Sequence, residues 1–161
     1  MRKQSALVFV LIALASCKPK EKPADPAKLQ AFAADYAAAW SSQNASRVAA
    51  HYSALGALSI NGGKAIGRAA ITADAQNFMS AFPDMVVSLD SLVVTGEHPV
   101  FHWTLTGTNT GPGGTGKTVR ISGYEVWTLG PDGLITLSDG HFDAAEYQRQ
   151  LKEGVTSGAA K

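Results

Sequence analysis

The chain has 161 residues, a formal net charge of +1 and a single cysteine. This length is typical of one ordinary domain, and one cysteine excludes an intramolecular disulfide. No basic patch is evident, so nucleic acid is not an expected partner.

The N-terminus has the pattern of a secretory signal. Arg2 and Lys3 precede an apolar run over residues 6–14, which is shorter than the ~20 residues needed to span a bilayer. Residues 14–17, Leu-Ala-Ser-Cys, resemble the bacterial lipobox. This resemblance implies cleavage after residue 16 and lipidation of Cys17, which would anchor the protein to a membrane of the cell envelope. The alternative is an ordinary signal peptide with an incidental cysteine.

Three further segments follow the predicted signal peptide of residues 1–16. Residues 17–27 combine the lipidated cysteine with a proline- and lysine-rich stretch, which is typical of a flexible linker. Lys18 after the cysteine resembles an outer-membrane address, with the domain on the periplasmic face. We expect the folded domain to span residues 28–154 and residues 155–161 to form a disordered tail.

Two helices are predicted at the start of the domain. Asp25 and Pro26 suit the N-cap and the first position of a helix. Asn44 is a candidate cap for a short second helix that extends to Tyr52. The first helix has apolar residues at spacings of three and four, which place them on one face. These residues are Leu29, Phe32, Tyr36 and Trp40.

A hairpin, a third helix and a set of strands complete the domain. Residues 61–63, Asn-Gly-Gly, separate two short apolar runs and predict a hairpin. Residues 68–82 have a helical period that Pro83 ends. A final helix opens at Asp143 with a capping-box spacing. Alternating or β-branched patterns predict four strands between them, over residues 85–95, 100–109, 117–129 and 134–142.

Residues 111–118 match the P-loop string G-x-x-x-x-G-K-[ST]. That motif binds phosphate where it opens a helix, but the residues after Thr118 alternate as a strand. We interpret the string as a glycine-rich connection between strands. We therefore expect neither a nucleotide nor another cofactor.

The last predicted strand carries three polar residues at every second position, namely Asp139, His141 and Asp143. Side chains alternate across a strand, so these three share one face. If that face lines an interior, they are candidate acid–base groups. The alternatives are a solvated Asp139–His141 pair and a helix-capping role for Asp143. No metal site is expected, because the chain has no cysteine pair and no His-x-x-x-His motif.

The strands before it carry further candidates. Glu125 and Trp127 share one face, as do Trp103 and Asn109 in the preceding strand. A charge inside an otherwise apolar strand needs a partner or a pocket, which makes Glu125 a candidate catalytic acid; the alternative is that it lies on an exposed face. Tyr36 and Trp40 of the first helix are either core residues or ligand contacts. The candidate ligand contacts together are Trp40, Tyr36, Trp103, Asn109, Trp127 and Asp139.

Several short strings occur in one order along the chain. They are Gly-Arg-Ala-Ala-Ile at 67–71, Phe-Pro-Asp at 82–84, Gly-Thr-Asn-Thr-Gly at 107–111, Thr-Gly-Lys at 115–117, and Asp143 followed by Gln150 and Leu151. With the order of elements, they resemble the SnoaL-like polyketide cyclases of the nuclear transport factor 2-like superfamily. The resemblance implies an α+β cone-like fold, in which a curved antiparallel sheet wraps around the N-terminal helices.

The resemblance also implies a role for Asp143, which matches the family's acid/base for an intramolecular aldol closure. The chain departs from the family in two places, since Asn109 stands where the family often has histidine and Asp139 where it often has tryptophan. The family's substrate is therefore not implied. Such domains often dimerise through the open sheet face, so a homodimer is a possible assembly.

Two functions fit these patterns. The first is an exported lipoprotein, bound to a membrane through acylated Cys17, that either binds a small apolar molecule in its cavity or pairs with another protein. The second is a cyclase, isomerase or lyase that uses Asp143 as general acid/base on a carbonyl substrate, with His141 and Glu125 as further catalytic candidates. Export favours the first, because a polyketide cyclase normally meets its substrate in the cytoplasm.

Overall fold

The structure is a computed structural model that describes residues 25–156. The predicted signal peptide, the lipidation site Cys17, most of the linker and residues 157–161 of the tail lie outside the described residues. Within the described part, no helix is both long enough and apolar enough to cross a membrane.

The elements follow one another in the predicted order. Tyr52, which we expected at the end of the second helix, instead begins the first strand. Asp25 caps α1 as predicted, and its Oδ1 accepts a hydrogen bond from the Ala27 amide at 3.0 Å. The elements are α1 (Pro26–Ser41), α2 (Ala45–Ala50), β1 (Tyr52–Ile60), β2 (Gly63–Ile66), α3 (Arg68–Ala81), β3 (Val86–Thr95), β4 (His98–Thr108), β5 (Thr118–Leu129), β6 (Ile135–Phe142) and α4 (Ala144–Glu153).

The six strands form one sheet in the order β2-β1-β6-β5-β4-β3. The predicted α+β fold is confirmed, with one correction, because β1 and β6 pair in parallel while the other pairs are antiparallel. These two strands are far apart in the chain, so no hairpin dictates their relative direction. The β1–β2 hairpin forms as predicted, since Asn61 and Gly62 both have the positive φ of its tight turn.

The core fills the inner face of this sheet, against α1 and α3. Irregular pairing within the β1–β6, β3–β4 and β5–β6 pairs bends the sheet. At its centre, Tyr36 of α1 is fully buried beside Phe101 and Trp127. The rings of Phe101 and Trp127 stack with centroids 5.0 Å apart. Residues 111–117 of the P-loop-like string form a connection that leads into β5 rather than into a helix, as we interpreted it.

Candidate functional site

A cavity of about 50 Å³ lies between the inner face of the sheet and helices α1 and α3. Its walls are almost entirely apolar, and Glu125 is the one ionisable side chain among the lining residues. A smaller space of about 20 Å³ adjoins it and shares Phe78, Trp103, Leu105 and Phe142. The cavity is lined by Trp40, Ile60, Phe78, Val87, Trp103, Leu105, Glu125, Gly140 and Phe142.

Two strand glycines provide room beside Glu125. Gly140 lies directly opposite Glu125 across the β5–β6 pair, and a Cβ there would stand 3.4 Å from the Glu125 Cγ. Gly123 lies opposite Trp103, where a Cβ would stand 2.5 Å from the indole Cζ2. A glycine inside a strand often marks such a close approach. The missing side chains leave space that the Trp103 ring and the cavity occupy.

The Glu125 carboxylate is held by three hydrogen bonds to one oxygen. Its Oε2 accepts from the Ser138 Oγ at 2.6 Å, the Trp127 Nε1 at 3.0 Å and the Tyr36 hydroxyl at 3.1 Å. The Tyr36 and Tyr52 hydroxyls lie 2.7 Å apart, so Tyr52 can donate to Tyr36 while Tyr36 donates to Glu125. No hydrogen bond from the described residues reaches Oε1. Glu125 lines the cavity, and one of its two carboxylate oxygens is therefore free to bind another group.

Burial changes the acidity of this network. Glu125 is only 6% exposed, and desolvation raises the pKa of its carboxyl group, while the hydrogen bonds from Ser138, Trp127 and Tyr36 oppose part of the rise. Burial, followed by the charge of Glu125, raises the pKa of both Tyr36 and Tyr52 well above the usual tyrosine range. Both phenols thus remain neutral below the usual tyrosine range, and Glu125 is the one member of this network whose charge can change there.

Trp103 contributes a second polar group without a partner. Its indole N–H is buried and has no hydrogen-bond acceptor within the described residues, although buried polar groups are usually paired. Trp103 lies opposite Gly123, and Phe101 lies opposite Glu125, so Trp103 and Glu125 are diagonal neighbours on one face. Two residues of the cavity wall thus each carry a polar atom without a partner in the described part of the chain, Nε1 of Trp103 and Oε1 of Glu125.

Asp139 and His141 lie on the other face of the sheet, which corrects the expectation that they line the interior. The strand pairing sets Asp139 opposite Val126 and His141 opposite Tyr124, out of phase with Glu125. The Asp139 Oδ2 and His141 Nε2 are 3.2 Å apart, and both side chains are about half exposed. A hydrogen bond from Ser59, followed by one from His141, lowers the pKa of Asp139. The alternative of a solvated pair describes them.

Asp143 and Asn109 stabilise the chain locally and are not among the lining residues. Asp143 is exposed at the N-cap of α4, and its Oδ1 accepts from the Glu146 amide at 2.9 Å. Asn109 is buried where β4 enters the glycine-rich connection. Its Oδ1 accepts from the Thr115 amide at 2.8 Å, and its Nδ2 donates to the Ala81 carbonyl at 3.1 Å.

The remaining candidates are divided between the cavity wall and the layer behind it. Trp40 and Trp103 line the cavity as expected, whereas Tyr36 and Trp127 are fully buried and hold Glu125. Sequence reasoning missed Ser138. This residue lies on the opposite face of β6 from Asp139, so it could be identified as part of the site only after Glu125 was known to be buried. It also missed the wall residues Ile60, Phe78, Val87, Gly140 and Phe142.

No group of three or more histidine, cysteine, aspartate or glutamate side chains could hold a metal ion between residues 25 and 156. The chemical groups of the cavity site are a buried carboxylate, an unpaired indole N–H and aromatic walls.

Three solved structures illustrate the fold. TsrD from Streptomyces laurentii is 23% identical with a TM-score of 0.70, covering 79% of this chain and 96% of that chain. A candidate polyketide cyclase from Xanthomonas campestris pv. campestris is 22% identical with a TM-score of 0.64, covering 78% and 98%. A protein with a ketosteroid isomerase-like fold from Catenulispora acidiphila, in complex with trimethylamine, is 16% identical with a TM-score of 0.67, covering 74% and 90%.

These likenesses concern the fold, since each identity is below 25%. A search of curated proteins gives no match. The sequence model of the SnoaL-like domain matches residues 33–138, which is more than half of the chain. This protein therefore belongs to the SnoaL-like domain family.

Proposed function

We propose that the domain binds a small, largely apolar molecule in the cavity beside Glu125. The observation that supports this most directly is an apolar cavity with one buried carboxylate, of which Oε1 is free. Ligand sites are typically apolar pockets with a few convergent polar groups. The neighbour from Catenulispora acidiphila holds trimethylamine, which supports the idea that this fold can enclose a small molecule.

The size of the cavity limits the ligand. A dry cavity of about 150 Å³ is known to bind benzene, and the cavity here is about 50 Å³. The enclosed part of the ligand should therefore be smaller than a benzene ring. A larger molecule would extend from the cavity or displace a side chain of the wall.

A test of binding uses protein-observed NMR with a library of small apolar molecules. We expect hits to shift the indole resonance of Trp103 and to raise the melting temperature. Trp103→Leu should weaken these hits, and Tyr124→Leu, on the outer face of β5, is the matched control. A library that shifts no resonance of the lining residues would overturn the proposal.

We further propose that the protein is exported and anchored through acylated Cys17, with its domain at the periplasmic side of the envelope. The support is the signal-like pattern over residues 1–17 alone. Labelling with an alkyne fatty acid tests this. The full chain should incorporate the label and sediment with membranes, and Cys17→Ala should do neither. Equal labelling of both proteins would contradict lipidation at Cys17.

Acid–base catalysis on a carbonyl substrate is the second candidate function. Glu125 combines a free oxygen with a raised pKa, and such groups act as general acids and bases. We assign this role to Glu125 rather than Asp143, because Asp143 caps α4 and is not part of the cavity wall. Glu125 would take a proton from the carbon next to the carbonyl, while the unpaired Trp103 N–H donates to the carbonyl oxygen.

Hydrogen–deuterium exchange at that carbon tests the catalytic proposal without knowledge of the product. A panel of small ketones in D₂O should include one whose exchange the protein accelerates. Glu125→Gln should abolish the acceleration, and Asp143→Asn should leave it intact. Loss of exchange in Asp143→Asn but not in Glu125→Gln would reverse the assignment.

A further inference from the structure

The charge of Glu125 has no basic partner. Its three donors are the neutral groups of Ser138, Trp127 and Tyr36, and no lysine, arginine or histidine of residues 25–156 forms an ion pair with it. Buried charges in proteins are usually paired with an opposite charge or coordinate a metal. The free Oε1 is therefore the position at which a positively charged group would compensate the charge of the carboxylate.

The wall around this carboxylate is aromatic. Four rings line the cavity together with Glu125, those of Trp40, Phe78, Trp103 and Phe142. The face of an aromatic ring carries negative potential and attracts cations, most strongly for tryptophan. A carboxylate set among such rings suits a ligand that is positive at its centre and apolar at its surface.

We propose that the cavity binds a small alkylammonium cation, with its N–H group donating to Glu125 Oε1 and its alkyl groups against Trp40 and Trp103. This rests on the proposed small-molecule binding function and names the chemical class of the ligand. The volume of about 50 Å³ restricts the enclosed part to a few non-hydrogen atoms, as in a di- or trimethylammonium group.

Binding of a cation is coupled to the protonation of Glu125. A nearby positive charge favours the carboxylate, so the cation and the proton compete for the site, and affinity falls as the pH falls. The other groups that face Glu125 do not compete with it for protons. Tyr36 of α1 and Tyr52 of β1 stay neutral, and the facing residues of β4 and β6, Phe101, Ser138 and Gly140, do not titrate.

Isothermal titration calorimetry of the full chain tests the proposal. The probes are the chlorides of ammonium, methylammonium, dimethylammonium and trimethylammonium at constant ionic strength, with tert-butanol as a neutral molecule of similar size. We expect affinity to rise along the methyl series. Trimethylammonium should bind at least about tenfold more tightly than tert-butanol, because both can donate a hydrogen bond to Oε1 but only the cation brings the opposite charge that strengthens it.

Two variants serve as matched controls. Glu125→Gln keeps the size of the side chain and should weaken trimethylammonium binding by at least about tenfold, with a clearly smaller loss for tert-butanol. Asp139→Asn changes a carboxylate on the outer face and should leave both affinities unchanged. Titrations in two buffers that differ in ionisation enthalpy should show, for the wild type, that cation binding releases protons and that this release grows as the pH is lowered. No such release is expected for Glu125→Gln.

The outcomes separate this inference from the function on which it rests. Equal affinity for trimethylammonium and tert-butanol would overturn the cation proposal and leave binding of a small apolar molecule intact. Binding of neither probe would overturn the cation proposal, and the apolar library then decides the proposed function. The comparison of charged and neutral probes needs only the wild-type protein, so it does not depend on the folding of Glu125→Gln.

Discussion

The two faces of β5 place neighbouring residues in opposite surroundings. Tyr124 is 40% exposed on the outer face, whereas Glu125 is 6% exposed on the inner face. The aromatic side chain thus lies outside and the acid inside, the reverse of the usual partition of residue types. The pairing with β4 and β6 decides which face is buried, and a single residue is assigned to a face by its register rather than by its polarity.

The carboxylates of the two faces differ in the same way. Asp139 is paired with His141 at the surface, and its hydrogen bonds lower its pKa. Glu125 has no basic partner within the described residues, and burial raises its pKa. The surface pair is the more conspicuous in sequence, yet the inner acid is the one that lines a cavity. The comparison teaches that the acid–base chemistry of a site depends on the desolvation of its side chains as well as on its residue types.

The largest expected difference between the faces is in packing. Trp127 is fully buried, stacks on Phe101 and donates to Glu125. Trp127→Ala should lower the free energy of unfolding by about 3–5 kcal/mol. Tyr124→Ala should cost about 1 kcal/mol, because this ring is partly exposed. Urea denaturation followed by circular dichroism measures both, and equal losses would contradict the assignment of the two faces.

The next effect concerns the acceptor that Glu125 provides. Glu125→Ala leaves the donors of Ser138, Trp127 and Tyr36 without their shared acceptor, and each unpaired buried donor costs about 1–3 kcal/mol. We expect a net loss of about 2–3 kcal/mol in the free energy of unfolding, since the new space admits water to some of them. Asp139→Ala is the outer-face control and should cost less than about 1 kcal/mol.

The two carboxylates should also give stability opposite dependences on pH. The raised pKa of Glu125 means that the folded state binds its proton more tightly, so this contribution is present below about pH 4.3 and is lost as the pH rises through the folded-state pKa. The lowered pKa of Asp139 gives a contribution that is present above about pH 3.9 and is lost as the pH falls.

These contributions can be measured by denaturing the wild type, Glu125→Gln and Asp139→Asn at a series of pH values. Each contribution is the difference between the free energies of unfolding of the wild type and the variant, as a function of pH. Relative to Glu125→Gln, the wild type should become less stable as the pH rises. Relative to Asp139→Asn, it should become less stable as the pH falls. Two differences of the same sign would show that one of the acids has been placed on the wrong face.

The smallest of these effects belongs to Asp143. Its side chain caps α4 through the Glu146 amide, and loss of an N-cap costs about 1 kcal/mol. Asp143→Ala should lower the free energy of unfolding by that amount, Asp143→Ser should restore most of it, and neither should alter ligand affinity. A loss of ligand binding in Asp143→Ser, with stability restored, would return Asp143 to the functional site.

The elements could be predicted from the sequence because their signals are local. The cap at Asp25, the Asn61–Gly62 turn and the strand alternation each depend on neighbouring residues. Two features could not be predicted from such signals. The parallel pairing of β1 with β6 joins strands that are far apart in the chain. The start of β1 at Tyr52 is set by the sheet rather than by the preceding helix.

The candidate site was predictable on β5 and not on β6. Glu125 stood out as a charge in an apolar strand, which favoured a pocket over an exposed face. On β6, alternation puts Asp139 and His141 on one face but does not say whether that face is buried, and the pairing of Gly140 with Glu125 places their neighbours inside. Since a shift of one residue exchanges the two faces, the site on β6 depended on a register that local pattern does not contain.

The strand glycines suggest how relatives with this fold could acquire ligands of different size. A Cβ at Gly123 would stand 2.5 Å from the His141 carbonyl oxygen, so that position is closed to any side chain without movement of the backbone. A Cβ at Gly140 would be tight at 3.0 Å from the Ser59 carbonyl and 3.4 Å from Glu125. A relative could therefore adapt to a smaller ligand by replacing this glycine with alanine, because the added methyl group would narrow the pocket and leave Glu125 in place.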